Sequence, residues 1–485
     1  MKAELAHSQV EAKRFLSQFQ TAFTTRWDGS TWPNWERTWK NADRYVRGLF
    51  RPGTDNTVTD IAKKTHMDQE RLERFVRESP WEHGAVEARL QEIVPEAVQG
   101  DDAAIIVDGM AIPKKGDESV GVARQWCGAT GKLDNCQVTV NATLARPGER
   151  RNPDQVTWPL GMQLYLDKKW SDHEDADYDN QREGERYARL REKTDIPDDI
   201  HYQPKHNIAA GIIEQALSAG LDHACVVADS NFGKRSSFRE ALRALDEPYV
   251  LEIETRKPRV IPAETSVIEP GPTDGRGPPR KYPAYSEDVS AETPREVADR
   301  VGDRDAWTSI SWNTGTKDEL SGEFYRERVR VVKSATNRWL TDETGWLLLK
   351  RVPEEENGSE KMYKAWLCWG LDDVSLEDLV SWAQLRWTIE KFHREIKQEL
   401  GGDEYQGRTW RGFHHHLSAV MLAHAFIAKL RLETGIDRSE LPSFETIVRD
   451  IVRESAIQRV MTEHGLNRGK AEEIAVDMLE GYSSW

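Results

Sequence analysis

The chain has 485 residues and carries 83 acidic against 67 basic side chains, for a net charge of −16. A hydrophobic content of 38% with 18 tryptophans is enough for a sizeable folded core and excludes a wholly disordered chain. No apolar run reaches the roughly 18 residues that a membrane helix needs, and the N-terminal stretch lacks the apolar segment of an export signal, so we expect a cytoplasmic protein with no membrane partner.

Residues 1–100 are predicted to form a helical region that binds DNA. Their 15 basic and 15 acidic residues balance, so the acidic surplus lies in the rest of the chain. Ile61 to Lys64 and Arg71 to Arg77 each follow a polar opening and indicate two short amphipathic helices joined by a turn. This pattern is typical of a helix-turn-helix module, but it also occurs in plain helical bundles, and the sequence does not separate the two.

Residues 101–254 change from helical periodicity to an alternation of strands and helices. The predicted strands are short apolar runs bounded by polar or turn residues, namely Ala103 to Val107, Cys136 to Leu144, Ala224 to Ala228 and Tyr249 to Ile253. The predicted helices are Asn207 to Leu217 and Phe238 to Leu245. This alternation predicts the first part of an α/β core.

The rest of the chain is predicted to complete that core around an insertion. Residues 255–372 begin with a linker rich in proline and glycine and continue with four β-like stretches, which predicts a β-rich insertion. Residues 373–430 return to the core with a long helix from Ser375 to Leu400 and a further helix. Residues 431–485 have helical patterns and form a C-terminal region.

Two aspartates are predicted to stand at the edge of the core sheet. Asp108 ends the run Ala-Ala-Ile-Ile-Val-Asp, and Asp229 ends the similar run Ala-Cys-Val-Val-Ala-Asp. Open α/β folds place their functional sites at the carboxyl ends of such strands. The alternative is that each aspartate only caps the turn that follows it, an explanation that suits one such residue better than two on matching strands.

A third carboxylate, Glu390, lies on the predicted helix from Ser375 to Leu400. At roughly 100° per residue, an apolar stripe of this helix should pack on the core. Its members are Trp382, Leu385, Ile389, Phe392 and Ile396. Glu390 lies at the border of that stripe, in one band with Arg386 and Lys397. A solvated ion pair between Arg386 and Glu390, four residues apart, is the simpler interpretation of this band taken alone.

Three carboxylates from two strands and one helix suit a site for hard divalent cations. Mg²⁺ prefers oxygen ligands and usually takes a few carboxylates together with waters and phosphates. Two such ions can activate a water or hydroxyl and stabilise the leaving oxygen in phosphoryl transfer. The sequence contains no phosphate-binding P-loop, and its four cysteines form no C-x-x-C pair that would indicate a zinc site.

Several stretches of the chain, within roughly residues 45–430, resemble DDE insertion-sequence transposases, most closely the insertion-sequence 701 group. They are Asp108 to Gly128 with Gly131 to Val138 for the first catalytic block, Ala228 to Gly233 for the second, and Arg408 to His416 for the text after the third. In the third block, Arg386, Glu390 and Lys397 match the R-E-K part of the Y-R-E-K signature of the related insertion-sequence 4 group.

This resemblance implies an RNase H-like mixed-sheet core in which Asp108, Asp229 and Glu390 are the catalytic residues and bind two Mg²⁺ ions, with Mn²⁺ as a substitute. It implies a transposase that cleaves DNA at terminal inverted repeats and transfers the freed 3′ ends to target DNA. Double-stranded DNA, as transposon ends and as target, is then the partner. A homodimer is expected in the DNA complex, and the cytoplasmic protein would be associated with the nucleoid when bound.

Five basic residues are expected to contact DNA. The resemblance places Arg386 and Lys397 at phosphates near the scissile site, because Arg grips a phosphate with two hydrogen bonds and Lys acts as a point charge. Lys114, Lys115 and Arg124 make the stretch after the first aspartate locally basic and would offset the acidic chain there. As residues of a solvated strand pair, these three need no function.

Two departures from the family pattern keep other functions open. Ala383 stands where the signature has Tyr, and Gly109 follows the first aspartate where the family usually has an acidic residue or Thr. The alternatives are a catalytically decayed, transposase-derived DNA-binding protein and a DNA nuclease or resolvase on the same fold.

Tryptophans and histidines provide two further motifs. The insertion contains Trp307, Trp312, Trp339 and Trp346. They are either core residues or surfaces on which a flipped base stacks, as in transposases that form hairpin ends. His414-His415-His416 cannot all face one metal ion, because consecutive helical residues point about 100° apart, so surface or DNA-proximal histidines are expected.

Overall fold

The computed structural model describes residues 8–480 apart from residues 27, 51–55, 149–154, 172–177, 272–279, 303–304, 315–318, 353–361 and 434–441. Helices at both ends of the described chain enclose one large mixed sheet, which confirms the predicted mixed α/β fold. No helix in these ranges is both long enough and apolar enough to cross a membrane. Part of the predicted proline- and glycine-rich linker, residues 272–279, lies outside the described residues.

Sixteen helices are described. They are α1 (Ser8–Ser17), α2 (Gln20–Thr24), α3 (Trp35–Leu49), α4 (Val58–Thr65), α5 (Gln69–Glu78), α6 (His83–Glu92), α7 (Gln181–Lys193), α8 (Lys205–Ser218), α9 (Ser230–Gly233), α10 (Ser236–Ala244), α11 (Pro294–Val301), α12 (Leu376–Leu385), α13 (Trp387–Gln398), α14 (Trp410–Leu432), α15 (Phe444–His464) and α16 (Arg468–Glu480).

The two helices predicted near residue 60 are α4 and α5, and the residues that cap them, Thr57 and Asp68, come directly before each helix. The buried side of α5 packs against α14, so the pair is anchored on the core, and its binding to DNA stays a prediction.

Thirteen strands form one sheet in the described chain. They are β1 (Ala104–Pro113), β2 (Ala123–Cys127), β3 (Lys132–Ala145), β4 (Thr157–Tyr165), β5 (Cys225–Ala228), β6 (Tyr249–Ile253), β7 (Val260–Pro262), β8 (Val267–Ile268), β9 (Ala284–Tyr285), β10 (Thr308–Thr314), β11 (Glu319–Ser334), β12 (Trp339–Val352) and β13 (Met362–Trp369). The main path runs β10-β11-β12-β13-β6-β5-β1-β3-β2. Because β13 pairs antiparallel with β6, the predicted β-rich insertion extends the core sheet instead of forming a sheet of its own.

The centre of the sheet has the strand order β4-β3-β1-β5-β6. β3 runs antiparallel to both β4 and β1, whereas β1, β5 and β6 run parallel to one another. β5 and the first four residues of β1 are buried along their whole length, as expected for parallel strands covered by helices. α8 packs against β3 and β4, and α12 packs against β1, β5 and β6. This is the mixed arrangement expected of an RNase H-like core.

The long helix predicted from Ser375 to Leu400 is in fact two helices. α12 and α13 are separated at Arg386, whose backbone keeps helical angles (φ −51°, ψ −30°), and α13 ends at Gln398. Ser375 caps α12, as expected. The predicted apolar stripe is buried from Trp382 to Ile396. The apolar stripe therefore continues across the break between the two helices. For this reason the pattern of apolar residues in the sequence could not reveal the break.

The three consecutive histidines of α14 are buried, so the expectation of surface or DNA-proximal histidines is wrong. His414, His415 and His416 are each at most 2% exposed. The reason is that α14 is surrounded by α3, α5, α6, α15 and β4, so every side of its first turns meets the core. His416 is satisfied as a neutral ring, since Nδ1 accepts from the Tyr45 hydroxyl and Nε2 donates to the Gly401 carbonyl, both at 2.9 Å.

Burial makes His416 a source of acid sensitivity. Desolvation lowers the pKa of His416 to about 4, so the folded chain binds no proton there at pH 5.5 whereas the unfolded chain does. The free energy of unfolding therefore falls as the pH drops below the unfolded-state value near 6.5. The free energy of unfolding should fall in both proteins when the pH is lowered from 7.5 to 5.5. We predict that this fall is about 1.4 kcal/mol smaller in His416→Gln than in the wild type, as measured by urea unfolding.

His464, which is exposed on α15, provides the matched control for this measurement. Its Gln variant should follow the wild-type pH dependence, because that ring is solvated in the folded and in the unfolded chain. If His416→Gln and the wild type lose the same stability over this range, the His416 ring takes up its proton without unfolding.

Candidate active site

Asp108 lies in the interior of β1. The prediction that it ends its strand is wrong, because β3 pairs with β1 along the whole strand to Pro113. The parallel pairing of β1 with β5, in contrast, stops at Val107 opposite Ala228. Asp108 is thus the first residue beyond that pairing, at the point where the two strands part.

Asp229 is the matching residue on the neighbouring strand and follows the last residue of β5, as predicted. Its carboxylate accepts hydrogen bonds from the backbone N–H of Asn231 at 2.9 Å and from the Asn231 side-chain amide at 2.8 Å. It therefore caps α9, which confirms the interpretation of Asp229 as a cap. Its catalytic role stays a prediction. Gly233 lets this turn lie directly against β6, because a Cβ there would overlap the Glu252 carbonyl oxygen.

Arg386 joins the Glu390 helix to the strand that bears Asp108. Its Nη1 donates to Oδ2 of Asp108 at 3.0 Å, and its Nη2 donates to Oε1 of Glu390 at 2.5 Å. The expected ion pair between Arg386 and Glu390 is present, but the same guanidinium also reaches across to β1. The Asp108 side chain is 15% exposed and the Glu390 side chain 56%, so the site extends from a buried carboxylate to a solvated one.

The charges of this site are interdependent. Burial and the neighbouring Asp229 raise the pKa of Asp108 to about 7, whereas Arg386 and the Gly109 N–H act in the opposite direction. Burial alone would lower the pKa of Arg386, but Asp108, Glu390 and Asp229 outweigh it and raise that pKa. A positive charge among these carboxylates therefore stabilises their anionic forms, which is the electrostatic condition for binding a cation.

Sequence reasoning missed two side chains beside the site. Asn141 is the β3 residue paired with Asp108, and its amide nitrogen donates to Nε2 of His393 at 2.8 Å. Burial lowers the pKa of His393 to about 3 and keeps the ring neutral. The amide oxygen of Asn141 is buried without a hydrogen-bond partner among the described residues. The three-residue spacing from Glu390 to His393 was visible in the sequence, but the strand register that supplies Asn141 was not.

The carboxylates open onto a cavity of about 890 Å³. Asp108 and Glu390 line it, together with Asn231, which follows Asp229 after one residue. The lining also contains the basic residues Lys205, Lys234, Arg235 and Lys397. The cavity therefore combines carboxylates that suit a metal ion with cations that suit phosphate groups.

Arg386 and Lys397, two of the predicted DNA contacts, lie at this site and are held by the protein itself. Arg386 is bonded to the carboxylates, and the Lys397 Nζ donates to the Ala111 carbonyl at 2.8 Å. Nζ of Lys397 keeps two further N–H donors that could hold a phosphate beside this bond.

The three basic residues predicted after Asp108, Lys114, Lys115 and Arg124, are not among the residues that line the cavity. Lys114 is half-buried and donates to the Tyr405 carbonyl at 2.9 Å, which gives it a structural role. Lys115 and Arg124 are exposed. Contacts of these residues with DNA stay a prediction.

The side chains fit a divalent cation in chemistry, but they are not gathered around one point. All three carboxylates supply oxygen, which Mg²⁺ prefers. Across the described ranges, however, no three His, Cys, Asp or Glu side chains stand close enough together to hold a metal ion. Arg386 bridges Asp108 and Glu390 and occupies one oxygen of each, so its guanidinium competes with a cation for those two oxygens. The two-metal site remains a prediction.

Known proteins are similar to this chain over parts of its length. A family model described as DDE superfamily endonuclease matches residues 33–319, a range that includes Asp108 and Asp229 and ends before Glu390. A protein of Microchaete diplosiphon, described as a probable transposase for insertion sequence element IS701, is 27% identical over 199 residues. That match spans 41% of this chain and 44% of the relative, so it leaves more than half of each unmatched.

Arg386 neutralises the charge of the carboxylates that it contacts, Asp108 and Glu390. We predict that Arg386→Gln in EDTA lowers the free energy of unfolding by roughly 2–3 kcal/mol at pH 8, less than for a fully buried pair because the Arg386 side chain is 25% exposed. The loss should shrink at pH 5, because Asp108, with its pKa raised to about 7, is then protonated in the folded chain. Urea unfolding at the two pH values measures both effects.

Arg394→Gln is the matched control, since Arg394 is exposed on the same helix. It should change the stability by less than about 0.5 kcal/mol. An equal loss for Arg386→Gln at pH 5 and pH 8 would mean that the guanidinium acts through packing and not through its charge.

Proposed function

Because this chain belongs to the DDE superfamily endonucleases, we propose that it is the transposase of an insertion sequence, which cleaves DNA at terminal inverted repeats and transfers the freed ends to target DNA. Its similarity to a protein described as a probable insertion-sequence transposase supports this more specific function. Double-stranded DNA is the proposed partner, as transposon ends and as target. The proposed complex is a homodimer that pairs two ends.

The observation that carries the proposal is the matching position of two aspartates on parallel strands. The parallel pairing of β1 with β5 ends at Val107 opposite Ala228, and Asp108 and Asp229 are the next residues on the two strands. Neighbouring strands lie about 4.8 Å apart, so the two carboxylates lie side by side at the point where β1 and β5 part. α13 brings Glu390 to the same opening through Arg386. This arrangement supports Asp108, Asp229 and Glu390 as the catalytic residues.

Asp108, Asp229 and Glu390 would hold the metal. Two Mg²⁺ ions, or Mn²⁺ in their place, would supply Lewis-acid activation of the attacking oxygen and neutralise charge on the leaving oxygen. The contribution of the protein is to present the three carboxylates from a rigid sheet and a packed helix. The hydrogen bond between Asn141 and the neutral His393 fixes α13 against β3 without adding charge to the site.

Arg386 and Lys397 are proposed to bind phosphates next to the scissile bond. If Asp108 and Glu390 held a metal ion, the Arg386 guanidinium would be available to a phosphate, which can accept two hydrogen bonds from it. Lys397 lines the same cavity and supplies a second positive charge.

Strand joining separates this function from two others on the same fold. A nuclease or resolvase would cut DNA without joining a labelled end to a target plasmid. A catalytically decayed DNA-binding protein would bind the ends without cutting them. The assay therefore scores binding, cleavage and joining on the same DNA, taken from the sequence that flanks this gene.

Loss of one carboxylate should abolish chemistry and spare binding. We predict that Asp108→Asn, Asp229→Asn and Glu390→Gln each reduce the rate of strand cleavage by about 10³-fold or more, since each is proposed to position the metal and several kcal/mol of barrier lowering depend on it. Binding of the end DNA, measured by gel shift, should stay near the wild-type level. The cleavage rate is measured on end-labelled DNA with Mg²⁺.

Asp342→Asn is the matched control, because the Asp342 side chain is 84% exposed on β12 and belongs to the insertion. It should cleave at the wild-type rate. Near-full activity in any of the three carboxylate variants means that this residue is not part of the catalytic site.

A further inference from the structure

We infer that the cavity beside the carboxylates binds an unstacked nucleobase of single-stranded or frayed DNA, with Trp126 as the stacking surface and Lys205 as a phosphate contact. That DNA is the ligand rests on the proposed function. The binding site lies on the core sheet, outside the insertion, in the cavity that Asp108 and Glu390 also line.

Trp126 is an exposed aromatic side chain that lines the cavity. It lies on β2, the edge strand of the sheet, and is 63% exposed. Leu133, its direct partner on β3, is 58% exposed. Two large apolar side chains left next to each other in water mark a surface that binds something, because folding alone gives no reason to expose both.

The tryptophans of the insertion, in contrast, already carry partners on their rings. The pairs are Arg351 over Trp307 at 4.5 Å, Lys350 over Trp312 at 4.2 Å, Arg326 over Trp346 at 4.4 Å, and Tyr282 beside Trp339 at 5.1 Å. A base would have to displace these groups to stack there. Among the described residues no ring or cation lies on Trp126, which also lines the carboxylate cavity, and both facts favour it as the stacking residue.

Aromatic rings and lysines alternate along another part of the cavity lining. Tyr165 and Tyr202 meet edge to face with 6.2 Å between ring centroids, and the Lys205 Nζ lies 4.7 Å from the centroid of the Tyr165 ring. Lys205 is half-buried at the first residue of α8, where burial lowers its pKa. A phosphate beside it would restore its preference for the charged form. Interleaved rings and cations suit single-stranded nucleic acid, because bases stack and phosphates pair with the charges.

The cavity lining is rich in cations although the chain as a whole has a net charge of −16. Besides Lys205 it contains Lys234, Arg235 and Lys397. Arg124 lies two residues before Trp126 and so on the same face of β2. A purely apolar ligand would leave these cations unused, whereas a nucleotide uses both the aromatic surface and the charges.

The position of Trp126 specifies which nucleotide it takes. Asp108 and Glu390 line the same cavity, so a base on Trp126 belongs to a nucleotide close to the phosphate that is cut. A base inside a duplex offers its face only to its neighbours in the stack, so the strand must be open at this point. Every base has a π face, and the site should therefore tolerate different sequences.

Fluorescence anisotropy with two labelled oligonucleotides tests this site. Each is about ten nucleotides long, which is within the usual range for single-strand binding. One probe consists of thymidylates and the other of abasic residues with the same number of phosphates, and EDTA prevents cleavage. The wild type should bind the thymidylate probe at least about 5-fold more tightly than the abasic probe, because this is the lower limit of the usual stacking free energy of one base. Trp126→Ala should lose most of this preference, whereas Trp126→Phe should keep most of it. Lys205→Gln should lower the affinity for both probes by the same factor.

Leu320→Ala is the matched control, because Leu320 is an apolar side chain 46% exposed on β11, outside the cavity lining. It should keep the full preference. An unchanged preference in Trp126→Ala overturns the stacking role, and equal or absent binding of both probes by the wild type overturns base recognition. If the protein cuts DNA but lacks this preference, only the inference of a base-binding site is contradicted. If it shows the preference but never cuts DNA, only the proposed function is contradicted.

Discussion

A parallel strand pairing that sets two acids side by side is the constraint on which the site depends. β1 and β5 pair from Ala104 opposite Cys225 to Val107 opposite Ala228, which fixes Asp108 next to Asp229. Burial and this neighbour raise the pKa of Asp108, so the pair costs stability wherever both carboxylates are ionised. Packing alone gives no reason to keep such an arrangement. It becomes favourable when a positive charge stands beside it, and Arg386 supplies that charge.

Arg386 thereby links the chemistry of the site to the architecture around it. It stands at the junction of α12 and α13, and its two hydrogen bonds connect β1 with the helix that bears Glu390. The buried apolar stripe of these helices fixes the guanidinium over the sheet edge. A divalent cation would need the same carboxylates, so metal binding, the position of Arg386 and the stability of the metal-free fold are coupled.

The sequence was sufficient to predict the elements and insufficient to predict how they meet. The runs before Asp108 and Asp229 are short, apolar and rich in β-branched residues, which identifies buried strands without knowledge of their partners. The continuation of β1 beyond Asp108 depends on its register with β3, and so does the placement of Asn141. The burial of His416 depends in the same way on helices distant in sequence. Pairing and enclosure are properties of the assembled chain, so local patterns carry no trace of them.

The central claim is that three carboxylates exchange Arg386 for a divalent cation, and a crystal structure with Mn²⁺ tests it most directly. Anomalous scattering at the manganese edge locates the ion independently of the protein atoms. We expect a manganese peak between Asp108 and Asp229, with Glu390 turned toward it and the Arg386 guanidinium released from Asp108. Crystals grown with Mn²⁺ that show no peak beside Asp108, and Arg386 still bonded to Asp108 and Glu390, would contradict the claim.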